Sequence, residues 1–349
     1  MKILNTIHAQ SIGGVDQVFR SYTEVLAKNG HEVFLLISDS KEYTSSSKYK
    51  SKDVKKIFGL KNFSQIFDFL KLGWILITLR PDFMICHSRR LMKWMRLFKF
   101  LKITKSIAVN HGVTFDSSLH CDYVININKQ ISDLVIASGF DQSKSFILPN
   151  CIKIDHSYQQ KVIKNPVVIG MYGRVEPRKG FDFLMKAAAL LKQNGLDFRL
   201  KLGGFEVPGS YNWNRVKALA EELNILEKCE FVGIVIDKKK FFSDVDIFCV
   251  PSTEEPFGLV ILEGFLHSTL VISSDSDGGK SLIKSGVDGF LFENQNYTDL
   301  AEKILKVCKN SEGNFSYSSL TSKAFTKLEK EFSLNSLGKN LEKILRACS

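Results

Sequence analysis

Long apolar runs are missing from this sequence of 349 residues. No window reaches the ~18 consecutive apolar residues that a helical membrane span needs. The longest candidate, Leu72 to Leu79, is stopped by Lys71 and Arg80. The first residues, Met1-Lys2-Ile3-Leu4-Asn5, lack the charged-then-apolar layout of a signal peptide and read as a first strand. A secreted or membrane-spanning protein is not expected. Paired cysteines are missing too. The seven cysteines, at 86, 121, 151, 229, 249, 308 and 348, are odd in number and scattered, with no Cys-x-x-Cys. That pattern argues against a disulfide framework or a zinc ribbon and for a reducing compartment. There is no Gly-x-Gly-x-x-Gly, so the dinucleotide fingerprint is absent.

Acidic charge is scarce in one half only. Residues 1–165 hold 24 Lys and Arg against 13 Asp and Glu, while residues 166–349 balance at 24 each. The whole net charge of +11 therefore lies in the first half, which points to an acidic partner there. Apolar residues at 44% and charged residues at 24% are ordinary for a folded protein. At roughly 150 residues per domain, the length favours two domains.

Short apolar runs alternate with helical patterns along the chain. Strands are predicted at Lys2–Ile7, Glu32–Ile37, Phe83–Cys86, Ser106–Asn110, Tyr123–Ile127 and Ser145–Leu148. A helix follows the Gly13-Gly14 loop to Lys28, another covers 63–79, and residues 40–56 read as a loop. Pro149 to Pro166 breaks the pattern and reads as a linker. The alternation restarts at Val167–Met171 and continues with strands near 198–202, 230–232, 246–250, 269–273 and 289–292. Strands separated by helices imply parallel sheets with right-handed crossovers. The expected fold is α/β, two doubly wound domains in tandem, with ligand between them at the carboxyl ends of the strands.

The densest chemical signal is Glu254-Glu255-Pro256-Phe257-Gly258-Leu259-Val260-Ile261-Leu262-Glu263. Glu255 should lie in a loop and Glu263 nearly two turns into the next helix, roughly 9–12 Å apart along the backbone. That is wide for two carboxylates sharing one glycosidic bond, and suits a grip on hydroxyls at opposite ends of an elongated ligand. Gly173-Arg174-Val175-Glu176-Pro177-Arg178-Lys179-Gly180 reads as a strand end opening a helix. Arg174 and Lys179 are expected at that helix N-terminus, where N–H groups and two cations converge on an anion such as a diphosphate.

This constellation resembles the E-x7-E signature of retaining glycosyltransferases of family 4, which have the GT-B fold. The resemblance implies that Arg174 and Lys179 hold the pyrophosphate of a nucleoside-diphosphate-sugar, with Glu255 on the sugar hydroxyls and Glu263 on the ribose diol. Phe257, Gly258 and Leu259 would complete the donor site. It further implies that Gly13 and Gly14 face the donor phosphate, and that a histidine after Ser106–Asn110 contacts the sugar. His111 is favoured for that role over His87, which also ends a strand and could instead meet the acceptor. Leu148-Pro149-Asn150 matches the family's Pro-Asn-Gly turn, with Cys151 replacing the glycine. Gly278-Gly279 matches its glycine loop, but Lys280 to Ile283 stand where a glutamate is usual. Asp275-Ser276-Asp277 could by itself be a metal pair, yet the family works without metal, so no metal or cofactor is expected.

The domains implied are 1–165 on the acceptor side, 166–332 on the donor side, and a helix over 333–349 crossing back. Residues 89–105 carry cations at 90, 93, 96, 99, 102 and 105 among aromatic and apolar residues. Their three-residue spacing drifts around a helix and predicts no clean face, but the composition fits an anionic membrane surface. No nucleic-acid motif accompanies the charge. The function expected is retaining transfer of a sugar to a lipid-linked, lipopolysaccharide or other cell-surface glycan, by a cytoplasmic enzyme peripheral to the inner membrane face. The alternatives are a nucleotide-sugar 2-epimerase and a non-catalytic nucleotide-sugar-binding protein.

Overall fold

A computed structural model describes residues 1–7, 13–38, 54–60, 66–98, 101–206, 209, 211–309 and 316–349. The chain divides into two units, Met1–Lys153 with Phe332–Ser349, and Ile154–Glu331.

The first unit is built on seven parallel strands: β1 (Lys2–Ile7), β2 (Glu32–Ser38), β3 (Val54–Leu60), β4 (Phe83–Cys86), β5 (Lys105–Asn110), β6 (Tyr123–Asn126) and β7 (Ser145–Ile147). Their order is β3-β2-β1-β4-β5-β6-β7, so the direction of winding reverses between β1 and β4. The inner strands are buried almost throughout, because helices cover both faces of such a sheet. Thr6, buried in this sheet, donates its hydroxyl to the Ile85 carbonyl at 2.9 Å. β3 corrects the loop expected over 40–56. Its Val-Lys-Lys-Ile-Phe-Gly-Leu pairs only with β2 at the sheet edge and is largely exposed, so it lacks the apolar run of a central strand. The remainder of that expected loop, 39–53, lies outside the described residues.

Among the described residues, the helices of this unit are α1 (Gly14–Lys28), α2 (Ile66–Leu79), α3 (Arg89–Phe98), α4 (Lys129–Ala137) and, from the chain end, α12 (Leu334–Cys348). The predicted start of α2 at 63–65 falls outside the described residues. α12 packs on α1: Asn29 Nδ2 donates to the Gly338 carbonyl at 3.2 Å, and His31 meets Glu342 at 2.9 Å. Lys105 Nζ reaches the carbonyls of Cys348 and Ser349.

The second unit has six parallel strands: β8 (Val167–Val175), β9 (Phe198–Glu206), β10 (Cys229–Gly233), β11 (Ile247–Val250), β12 (Leu270–Ser274) and β13 (Phe290–Phe292). The order β10-β9-β8-β11-β12-β13 again reverses, here between β8 and β11. The helices are α5 (Phe181–Gln193), α6 (Trp213–Glu222), α7 (Lys238–Phe242), α8 (Leu259–Leu266), α9 (Asp277–Leu282), α10 (Tyr297–Lys309) and α11 (Tyr317–Glu331). Residues 154–165, read from sequence as the tail of the first domain, group with this unit. Lys161 fastens them by donating to the Phe242 carbonyl and to Thr269 Oγ1, both at 2.7 Å. The two sheets have the Rossmann-like, doubly wound order, and ligands in such sheets sit beyond the carboxyl strand ends at the point of reversal.

Candidate active site

In the second unit, the reversal point brings the ends of β8 and β11 together. β8 runs four residues further than predicted, through Val175. Arg174 therefore stands exposed in the strand and not at a helix start, which corrects the sequence expectation. Lys179 closes a short turn over Pro177–Lys179, and Gly180 follows at φ +79° before α5 begins. A side chain at Gly180 is excluded: a Cβ there would lie 1.9 Å from the Pro251 carbonyl. That contact seats the turn against the loop after β11. The Thr253 N–H then donates to the Arg178 carbonyl at 2.8 Å, and the Arg178 guanidinium reaches the Glu254 carbonyl at 3.2 Å.

This seating places Lys179 Nζ 2.5 Å from Glu255 Oε2, with side chains only 13% and 12% exposed. The lysine stem runs over Gly173, whose missing side chain leaves room for it. Glu176 lies between the two arginines, 2.6 Å from Arg178 and 3.3 Å from Arg174. The result is two cations, Arg174 and Lys179, held by carboxylates at the end of β8.

Gly258 takes φ +93° and caps α8, whose first residue is Leu259. Phe257 is buried beside it. Glu263 is thus the fifth residue of α8, just over one turn in, where nearly two turns were expected. It is 4% exposed, and both its oxygens are engaged: Oε2 by the Tyr172 hydroxyl and Oε1 by the Lys238 ammonium. Burial and this carboxylate together push the Tyr172 phenol up. Tyr172 and Lys238 were not found from the sequence. Tyr172 sits in the strand pattern of β8, and Lys238 opens a short helix far from either motif, so no spacing rule connects them to Glu263.

Gly278 and Gly279 serve the Glu255 loop. The Gly278 N–H donates to the Glu255 carbonyl at 2.7 Å, and a Cβ on Gly278 would stand 2.4 Å from the Phe257 carbonyl. Asp275 Oδ1 accepts from the Asn294 N–H at 2.9 Å, while Asn294 Nδ2 donates to the Thr253 carbonyl, also at 2.9 Å. Asp275 therefore orders this loop system. Among the described residues, no group of three His, Cys, Asp or Glu side chains could hold a metal ion.

In the first unit, the reversal point joins the ends of β1 and β4, with β5 beside β4. Gly13 caps α1 in an extended conformation at φ −163° and Gly14 is its first residue. The positive φ that adjacent glycines allow is not used at Gly13, and among the described residues a Cβ there would meet nothing within 4 Å. Ser11 and Ile12 lie outside the described residues. His87 follows β4 and His111 follows β5. The structure brings these two together: His87 Nδ1 is 3.1 Å from His111 Nε2, with the rings stacked at 5.2 Å. Phe19 and Tyr22 close edge-on around His87, which is buried. Burial lowers the basicity of both, His111 to about 4, and His87 is lowered further by its partner.

Residues 153–322 match the family of glycosyl transferases group 1. The lipopolysaccharide core biosynthesis glycosyltransferase LpsE of Rhizobium meliloti is 24% identical over 306 residues, 84% of either chain. A glycosyltransferase from Rickettsia africae, 23% identical, superposes with a TM-score of 0.85 over 100% of this chain and 98% of that one. HepE from Anabaena, solved in complex with UDP and glucose, is 16% identical, with a TM-score of 0.81 over 99% and 100% of the two chains. Two doubly wound parallel-sheet units define the GT-B architecture, and the protein is a glycosyltransferase. More particularly, its likeness to the glycosyl transferases group 1 lies over the second unit.

Proposed function

We propose that this glycosyltransferase moves a sugar, with retention at the anomeric carbon, from a nucleoside diphosphate to a cell-envelope glycan, and that it belongs to family 4. The observation that carries the reading is the cluster Arg174, Lys179 and Glu255 at the end of β8, beside Glu263 on α8. Cations held at a strand end by carboxylates are prepared for an incoming diphosphate, which can take over the lysine and arginine as partners. Glu255 then takes sugar hydroxyls and Glu263 the ribose diol, with Phe257, Gly258 and Leu259 lining the donor. Gly13, Gly14 and His111 of the first unit are assigned to the donor phosphate and the sugar.

In the reaction, the bond between the anomeric carbon and the β-phosphate oxygen breaks as the carbon gains oxocarbenium character. Negative charge grows on the departing phosphate, and Arg174 and Lys179 stabilise it where stabilisation lowers the barrier most. The acceptor hydroxyl attacks from the face the phosphate leaves, and the phosphate takes its proton. No metal ion and no cofactor is assigned a role. The lipopolysaccharide role in the name of LpsE supports a lipid-linked or lipopolysaccharide acceptor. The UDP and glucose in HepE support a nucleotide-sugar donor. The basic first half would meet an anionic membrane, with the enzyme peripheral on its cytoplasmic face and no nucleic acid bound.

The test is a thermal-shift panel of UDP-, GDP- and ADP-sugars, since a ligand that binds only the folded state raises its melting temperature. The donor found there is then incubated with glycolipid acceptors, and the anomeric configuration of the product is read by NMR. Inverted product removes the retaining assignment. Conversion of the donor with no acceptor present would reveal an epimerase.

A further inference from the structure

Helix α2 turns a row of large apolar side chains outward. Ile66, Phe67, Leu70, Trp74 and Ile77 are 69%, 76%, 59%, 59% and 54% exposed, at the spacing that places them along one side of a helix. Opposite them, Leu72, Ile75 and Leu76 are fully buried, so the sheet already has its covering face. The one acidic residue of α2, Asp68, is buried. The exposed Thr78 hydroxyl donates its proton back to the Trp74 carbonyl at 2.7 Å and so presents no outward donor.

Beside it, α3 is cleanly two-sided, which corrects the sequence expectation for 89–105. The helix is described over Arg89–Phe98. Leu91, Met92, Met95 and Phe98 are buried, while Arg89, Arg90, Lys93 and Arg96 face outward. Lys102 lies beyond the helix, Lys105 belongs to β5, and residues 99–100 are outside the described residues. Among the described residues, no acidic side chain pairs with the four outward cations. Phe69 of α2 stacks on Phe98 at 4.7 Å and meets Trp94 edge-on at 5.6 Å. Gly73 admits the Phe98 ring, which would lie 3.3 Å from a Cβ there. The apolar row and the cations therefore share one surface, extended by the exposed Leu97 and Leu101.

We propose that this α2–α3 surface docks the enzyme on an anionic lipid bilayer, with the α2 row inserted among the acyl chains and the α3 cations on the headgroups. This rests on the membrane part of the reading above and locates it. α2 has 14 residues, about 21 Å of helix against a hydrocarbon core of about 30 Å, so it lies in the interface and does not cross. Charge decides the occupant. A second copy of the chain would set four unpaired cations against four more. A protein partner would meet a row of five apolar side chains with no outward donor left free beside it, whereas lipid tails need no such group and anionic headgroups neutralise the cations.

The experiment is sedimentation of the full chain with phosphatidylcholine vesicles, alone or with about 30% phosphatidylglycerol, at low and high salt. Wild type should pellet with the anionic vesicles at low salt. A triple variant, Phe67→Ser, Leu70→Ser and Trp74→Ser, should lose about tenfold or more in partitioning, and Arg89→Gln with Lys93→Gln and Arg96→Gln a similar amount. Both triples change exposed side chains, so melting temperatures should hold. No binding at low salt, or full binding by the apolar triple, overturns the proposal. Light scattering that shows a dimer abolished by the apolar triple overturns it in favour of self-association. Nucleotide calorimetry on the same proteins separates this from the donor reading: absent nucleotide binding would sink the donor site while leaving the vesicle result standing.

Discussion

His87 Nδ1 lies 3.1 Å from His111 Nε2, and the outer nitrogen of His87, Nε2, is buried with no hydrogen-bond partner. One proton fits between the rings. If His87 accepted it, its own proton would sit on the buried Nε2 as an orphaned donor, a rarer and costlier state than a bare acceptor. His87 thus donates from Nδ1, and His111 keeps its proton on Nδ1. Nitrogen chemical shifts should show both rings as neutral Nδ1–H tautomers at pH 7. A His111 ring protonated on Nε2 would reverse the assignment.

The same pair sets a pH dependence. Both histidines are held below the usual range, His111 to about 4. As pH falls below ~6.5 the unfolded chain takes protons that the folded chain refuses, so stability is full above that pH and declines toward 4. His267, also lowered to about 4 by burial and by His156, acts in the same direction. Melting temperatures should fall steadily from pH 6.5 to 4.5. In His87→Asn the slope should be shallower by about 1.4 kcal/mol per pH unit, the worth of one proton. An identical slope in the variant would show that His87 does not titrate this way.

Arg174 and Lys179 should not be equivalent. Each is expected to contribute roughly 1.5–3 kcal/mol to nucleoside-diphosphate binding, the range for charged hydrogen bonds. Arg174→Ala removes an exposed cation and should leave the melting temperature almost unchanged. Lys179→Ala strands the largely buried Glu255 carboxylate without its ion pair, so it should lower stability as well as affinity. Calorimetry and thermal denaturation of both variants check this. Unchanged affinity in both would remove the phosphate assignment.

The contrast between these two residues shows what the sequence could carry. Chain order and apolar runs revealed both sheets, because parallel strands buried on both faces read as short apolar stretches. β3 escaped for the converse reason, as a half-exposed edge strand with two adjacent lysines. Glu255, Lys179 and Glu263 stand in local motifs and were legible. Their partners were less so, since Lys238 meets Glu263 and Asn294 meets the Glu255 loop only through tertiary folding. The α3 face was missed by reading 89–105 as one helix; cut at Phe98, its cations fall on one side. The α2 row was invisible in principle. An apolar helix gives no sign of which face the sheet will cover.

Asp275 and Asp277 bear on metal dependence. Asp275 already accepts the Asn294 N–H, and Asp277 opens α9. EDTA should therefore leave turnover intact. Loss of activity with EDTA, restored by Mn²⁺, would revive a metal role for these aspartates.

The two glutamates should separate by ligand. Glu263 is buried on α8 with Tyr172 and Lys238 on its two oxygens, whereas Glu255 sits in a loop against Lys179. If Glu263 takes the ribose diol, Glu263→Gln replaces a charged acceptor by a neutral amide whose NH₂ faces Tyr172 or Lys238 as a misplaced donor. Binding of free nucleoside diphosphate and of intact donor should then both weaken by roughly 1.5–3 kcal/mol. The preference for ribose over 2′-deoxyribose nucleotides should shrink as well. Glu255→Gln should keep that preference and weaken mainly the sugar-bearing donor. Calorimetry with the ribo and deoxyribo diphosphates and the donor sugar, on both variants, gives the comparison. Equal losses for every ligand in both variants would show that the carboxylates do not grip opposite ends of the donor.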